Sequence, residues 1–165
     1  MAALTVGGKA PDFELKAMDG KSFVLRDELA RGPVVLAFFK ASCPTCQYAF
    51  PFLERLERAY GHQGVRIIGV SQNEPKETGA FTKEFGVTFP VLLDDTDKYP
   101  VSNAYGLTNV PTVFWIAQDG NIEVSSVGWM KAEFEEINQK MAEARNIAPA
   151  SVFRPGDDVR DFRAG

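Results

Sequence analysis

A chain of 165 residues with 45% hydrophobic and 24% charged residues is long enough for one domain with a full core, and it needs no covalent staples. Its net charge of −4, without a basic cluster, argues against a nucleic-acid partner. No apolar run reaches the roughly 20 residues of a membrane span. Residues 1–11 have one lysine, no apolar core and no cleavage-type site, so no secretory signal is expected. The expected compartment is the cytoplasm, or the periplasm for a trimmed mature form.

The elements are read in chain order. Phe13–Lys16 and Ser22–Leu25 alternate around Asp19-Gly20, which predicts a β-hairpin. This ribbon is expected to cover one end of a sheet. Arg26–Ala30 is at most a helical turn. Val34–Phe39 is apolar on both alternations, the pattern of a central, parallel strand covered on both faces. A helical pattern runs from Gln47 to Tyr60 with Phe50, Leu53, Leu56 and Ala59 on one side, and Pro51 inside it should kink the helix. His62 follows in a turn and reads as a solvated loop residue.

Val65–Ser71 predicts a second buried strand, Pro75–Phe85 a helix and Phe89–Asp94 a short strand. Asp97–Tyr105 predicts a helix interrupted near Pro100. Val113–Ile116 and Ile122–Val127 form a second hairpin pattern around Asp119-Gly120. Lys131–Arg145 predicts an amphipathic helix with Phe134, Ile137 and Met141 on one face. The order implies an α/β fold with a mixed sheet and helices on both faces. Residues 1–145 form the domain; residues 146–165 have no period and read as an irregular, loosely held tail, with Val152, Phe153 and Phe162 as the residues that could dock it.

The only two cysteines are Cys43 and Cys46, in Ser42-Cys43-Pro44-Thr45-Cys46, where the first core strand hands over to a helix. A Cys-x-x-Cys pair reads as catalytic or metal-binding. Zinc would need two further ligands, and there are no further cysteines and one poorly placed histidine. A structural disulfide would close too short a loop to stabilise much. No metal and no cofactor are expected. With Cys43 as N-cap, Pro44 is the first helical residue, where its missing N–H costs nothing, and Cys46 is the third. The helix end favours a Cys43 thiolate, the species that attacks a disulfide. Residues three apart on a helix face each other, so Cys46 can resolve the mixed disulfide. Lys40, if it points toward the pair, would lower the Cys43 pKa further.

Cys43-Pro44-Thr45-Cys46 after a core strand, Pro51 beyond it, Val110-Pro111-Thr112 entering a late strand and Gly128 after the last strand together resemble the thioredoxin superfamily. The extra segment between Ser71 and Tyr105, with the ribbon beginning at Ala10-Pro11-Asp12-Phe13, is similar to the alkyl hydroperoxide reductase/thiol-specific antioxidant branch. The resemblance implies a thioredoxin-like three-layer α/β/α sandwich with a mixed central sheet, an N-terminal β-hairpin extension and an inserted helix–strand segment. It implies a thiol–disulfide oxidoreductase with catalytic Cys43 and Cys46. Val110, Pro111, Pro44 and Thr45 would form the substrate-binding surface, with the Val110–Pro111 bond cis. The partners implied are a protein or small-molecule disulfide and a dithiol reductant or oxidant.

The chain departs from that family's pattern at three points. Ser42 stands where thioredoxins carry Trp, Ala37 where they carry a buried Asp, and Ala49 where cytochrome-maturation relatives often carry Glu. Glu74 is a substitute proton carrier to consider. A peroxiredoxin-like thiol peroxidase is the main alternative, although the Pro-x-x-x-Thr-x-x-Cys motif is broken: Leu36 and Lys40 hold its Pro and Thr positions when Cys43 ends it, and Phe39 and Cys43 hold them when Cys46 does. A non-enzymatic binding module on the same fold is the third reading.

Overall fold

The computed structural model describes residues 2–61 and 64–165; the expectation for His62 lies outside the described residues. Among the described residues, seven strands form one sheet: β1 (Glu14–Ala17), β2 (Ser22–Val24), β3 (Val34–Phe39), β4 (Arg66–Ser71), β5 (Val91–Leu93), β6 (Thr112–Ile116) and β7 (Ile122–Val127), in the order β2-β1-β5-β4-β3-β6-β7. Every side chain of β3 is fully buried. β3 lies inside the sheet as expected, but only one neighbour is parallel: β4 is, while β6 runs antiparallel. The sheet is therefore mixed. The N-terminal hairpin sits at one end of the sheet, and it does so by joining it: β1 pairs with β5 on one side and β2 on the other, which leaves the short, partly exposed β2 as the edge strand.

The helices are α1 (Leu25–Leu29), α2 (Pro44–Tyr60), α3 (Pro75–Glu84), α4 (Pro100–Ala104) and α5 (Lys131–Arg145). Strand alternation divides the core. Val35, Ala37 and Phe39 face Phe50, Leu53 and Leu56 of α2, Phe81 of α3 and Ile137 of α5. Val34, Leu36 and Phe38 face Leu25 and Leu29 of α1 and Val101 of α4. Two helical layers thus enclose the sheet, giving the α/β/α sandwich. Fully burying one Leu or Phe contributes about 1.5–3 kcal/mol, so β3 and its facing helices anchor the fold.

Local chemistry explains the helix boundaries. Pro51 lies inside α2, which continues to Tyr60 and closes on Gly61. The fourth helix begins only at Pro100, because Tyr99 adopts a left-handed conformation (φ 50°) that no helix can include. Buried Asp94 caps that helix, accepting from the backbone N–H of Val101 (3.2 Å) and Ser102 (2.8 Å) and from the Ser102 hydroxyl (2.7 Å).

A second small sheet pairs β8 (Trp129–Met130) with β9 (Phe162–Arg163). β9 falls within the stretch that reads as irregular. Val152 is buried there, and Phe153 packs against Phe52 (5.4 Å between centroids), Phe134 (5.4 Å) and Trp129 (6.5 Å). Arg55 binds the Asp157 carboxylate through both terminal nitrogens, at 2.7 and 3.1 Å. Residues 146–165 are thus held along α2 and α5. Phe162, the third residue considered for docking, is instead 52% exposed.

Candidate active site at the dithiol

The site forms where β3 ends and β6 begins. Phe38 pairs with Thr112, so the antiparallel ladder places the loop after β3 beside the loop before β6. Residues 43 and 110 are far apart in sequence but emerge from one edge of the sheet. The Val110–Pro111 peptide bond is cis. Cys43 is the N-cap of α2, in extended conformation (φ −83°, ψ 115°), with Pro44 at the first helical position. Its sulfur accepts from the Cys46 backbone N–H at 3.1 Å and, as a thiol, donates to the Val110 carbonyl at 3.3 Å.

The two cysteines have different surroundings. Both are free thiols; Cys43 is half-buried and Cys46 is fully buried. The Cys43 pKa is lowered to about 6. Its main cause is the hydrogen bond from the Cys46 thiol; partial burial opposes it, and the backbone N–H groups of Cys46 and Thr45 and the charge of Lys40 add to it. The Cys46 thiol is pushed far upward, first by burial and then by the Cys43 sulfur. One thiol is therefore poised to ionise while its neighbour holds its proton.

The loop before Cys43 is fixed from both sides. The Ala41 N–H donates to the Asn73 side-chain carbonyl at 2.7 Å, and the Gln47 amide donates to the Ala41 carbonyl at 2.9 Å. A cleft of about 490 Å³ opens beside Cys43, lined by Lys40, Ser42, Pro44, Gln72, Thr108 and Val110 among others. Lys40 thus shares the cleft with the dithiol. Pro44 is exposed, Val110 is half-buried and Pro111 is buried. Thr45 is buried too, and its hydroxyl donates to the Ala164 carbonyl at 2.5 Å. Gln72, Asn73, Ala164 and Gly165 join the site without having been singled out in sequence. For the first two the available signal was position: they follow β4, the parallel neighbour of β3, at the same sheet edge.

Ala37 and Ala49 are buried in the apolar cluster beneath the dithiol. Glu74 is exposed and its carboxylate accepts the Thr96 hydroxyl. It is not among the groups that shift Cys46, which are burial, Cys43 and Lys40.

Residues 6–125 match the AhpC/TSA family. The chain belongs to that family. Among family relatives, it is 37% identical over 132 residues to thiol-disulfide oxidoreductase ResA of Geobacillus thermodenitrificans, spanning 79% of this chain and 74% of that protein. It is 35% identical over 129 residues to ResA of Bacillus subtilis, spanning 78% and 70%. The crystal structure of a thiol:disulfide interchange protein from Chlorobium tepidum superposes with a TM-score of 0.68 at 26% identity, over 84% of this chain and 99% of that one. The fold is thioredoxin-like. Among the described residues, no helix is long and apolar enough to cross a membrane.

Proposed function

We propose that this thiol–disulfide oxidoreductase works through Cys43 as the attacking and Cys46 as the resolving sulfur. The observation that carries the reading is a half-exposed helix-capping thiol with a pKa lowered to about 6, three residues before a buried thiol that keeps its proton. The Cys43 thiolate attacks one sulfur of a substrate disulfide. A Cys43–substrate disulfide forms, and the other substrate sulfur leaves as a thiolate. Cys46 then gives up its proton and attacks the Cys43 sulfur. The Cys43–Cys46 disulfide forms and the second substrate thiolate departs. The reverse sequence oxidises a dithiol, so the partner that restores the pair is a dithiol in one direction and a disulfide in the other.

In this reading Val110 and Pro44 line the substrate cleft beside Cys43, and Pro111 and Thr45, both buried, back them. With no carboxylate among the groups that shift Cys46, its proton goes to water or to the departing substrate sulfur. The compartment decides the direction of flow: a reducing cytoplasm, the setting we favour, would hold the pair as thiols, and an oxidising one as a disulfide. Peroxide is the weaker substrate, since Leu36 is fully buried in the strand and Lys40 is exposed where a peroxidatic motif needs Pro and Thr. The family relatives named as oxidoreductases weigh against a module that only binds.

The test is disulfide reduction with a supplied reductant. Cys43→Ser abolishes turnover, and Cys46→Ser accumulates a mixed disulfide visible by mass spectrometry. Full activity in Cys43→Ser overturns the assignment. A parallel peroxide assay separates the rival: fast peroxide turnover that depends on Cys43 favours the peroxidase.

A further inference from the structure

Residues 157–165 follow α2 toward its N-terminus and end their described course over the dithiol. The ties are specific. The Tyr48 hydroxyl donates to the Asp158 carbonyl (2.5 Å) and accepts from the Arg160 N–H (2.9 Å). The Trp129 indole donates to the Arg160 carbonyl at 2.6 Å, and the Lys131 N–H to the Asp161 carbonyl at 2.9 Å. Arg163 lies over the Tyr48 ring, 5.1 Å from its centroid. β9 pairs with β8, and Thr45 holds the Ala164 carbonyl.

Two close approaches then bring main chain against main chain. A Cβ on Gly128 would lie 2.7 Å from the Arg163 carbonyl oxygen. A Cβ on Gly165 would overlap the Val110 carbonyl, the group that accepts from Cys43. Residues 162–165 therefore run between Gly128, Thr45 and Val110, with Phe162 and Arg163 pairing as a strand. An extended polypeptide approaching Cys43 from this side would need the same backbone groups and the same space. The cleft toward Lys40, Gln72 and Thr108, which Gly165 borders, stays open.

We infer that residues 162–165 form a strap over the ground a polypeptide disulfide would occupy beside Cys43. With the strap down, the site takes small disulfides through the open cleft. A polypeptide disulfide binds as the strap lifts. This inference rests on the oxidoreductase reading and adds the substrate class to it. The strap lowers apparent affinity for a polypeptide by the fraction of molecules in which it is raised, and leaves the small-disulfide route untouched.

Two variants of the 165-residue chain lift the strap at separate points, so either suffices if the other fails to fold. Gly165→Val places a side chain on the Val110 carbonyl, and Arg163→Ala removes the contact with Tyr48. Turnover of insulin and of bis(2-hydroxyethyl) disulfide is compared. The ratio of kcat/KM for insulin to that for the small disulfide rises about tenfold in each variant, the change expected when a strap closed in nine molecules of ten is freed. In Arg163→Ala the small-disulfide value itself stays within about twofold. An unchanged or falling ratio overturns the strap.

A second readout needs no turnover. Reduced protein is alkylated with iodoacetamide and with an extended peptide carrying a maleimide, and the Cys43 adduct is followed by mass. Both variants speed the peptide reagent relative to iodoacetamide, and in Arg163→Ala, a change outside the cleft, the iodoacetamide rate itself is unchanged; equal effects on both reagents overturn the strap. If no disulfide is reduced by any form, the oxidoreductase reading falls, and the alkylation ratio still decides the strap.

Discussion

Cys43 and Cys46 share one turn of helix and are pushed in opposite directions, one by hydrogen-bond donors and the other by burial. A thiol reacts as its thiolate, so the Cys43 alkylation rate climbs as pH rises through about 6 and levels off above it. A rate that begins to climb only near pH 9, the ordinary thiol value, contradicts this environment. Lys40→Gln moves the midpoint upward, because the lysine charge favours the thiolate. Asn73→Ala removes the acceptor for the Ala41 N–H and costs about 1 kcal/mol in denaturant unfolding. The cysteine pair and its helix cap were legible in sequence because the cap, the proline after it and the three-residue spacing are local. Asn73 was not, since only pairing of β3 with β4 brings residue 73 to residue 41.

Strand and helix existence was legible wherever one period ran long enough to show. β3 and β4 read as buried runs, β7 as the second arm of a hairpin and α5 as an apolar stripe. Boundaries fixed by single side chains were harder. The Asp97–Tyr105 pattern looks helical from its start, yet Tyr99 turns left-handed and the helix waits for Pro100 and the Asp94 cap. Asp94→Ala leaves buried N–H groups at that cap without their acceptor and lowers stability by about 2 kcal/mol, read as a fall in the urea midpoint with unchanged slope. β8 and β9 span two residues each, too short for a period, and neither forms without the other.

Across the whole molecule, the packing that secures residues 146–165 is aromatic. Phe52, Trp129, Phe134 and Phe153 form one cluster whose ring centroids lie 5.0–6.5 Å apart. The cluster joins α2, β8, α5 and the stretch after α5. Phe153→Ala costs about 2 kcal/mol, below the range for a fully buried phenylalanine because Phe153 is only partly enclosed, and a melting curve against the parent checks it. This stretch carries no periodic signal in sequence because it is held by isolated side chains and backbone carbonyls. Composition alone therefore makes it look loose.

The divided titration of the dithiol also sets how its electron chemistry couples to protons. Below about pH 6 the reduced pair holds two protons, and its midpoint potential falls by about 59 mV per pH unit. Above that, Cys43 has already lost its proton and Cys46 retains the only one, so the two-electron couple falls by about 30 mV per unit. Across the neutral range the protein's driving force would drift with acidity half as fast as that of a thiol–disulfide couple whose reduced sulfurs both keep their protons. Its electron balance with such a partner would therefore shift with pH alone.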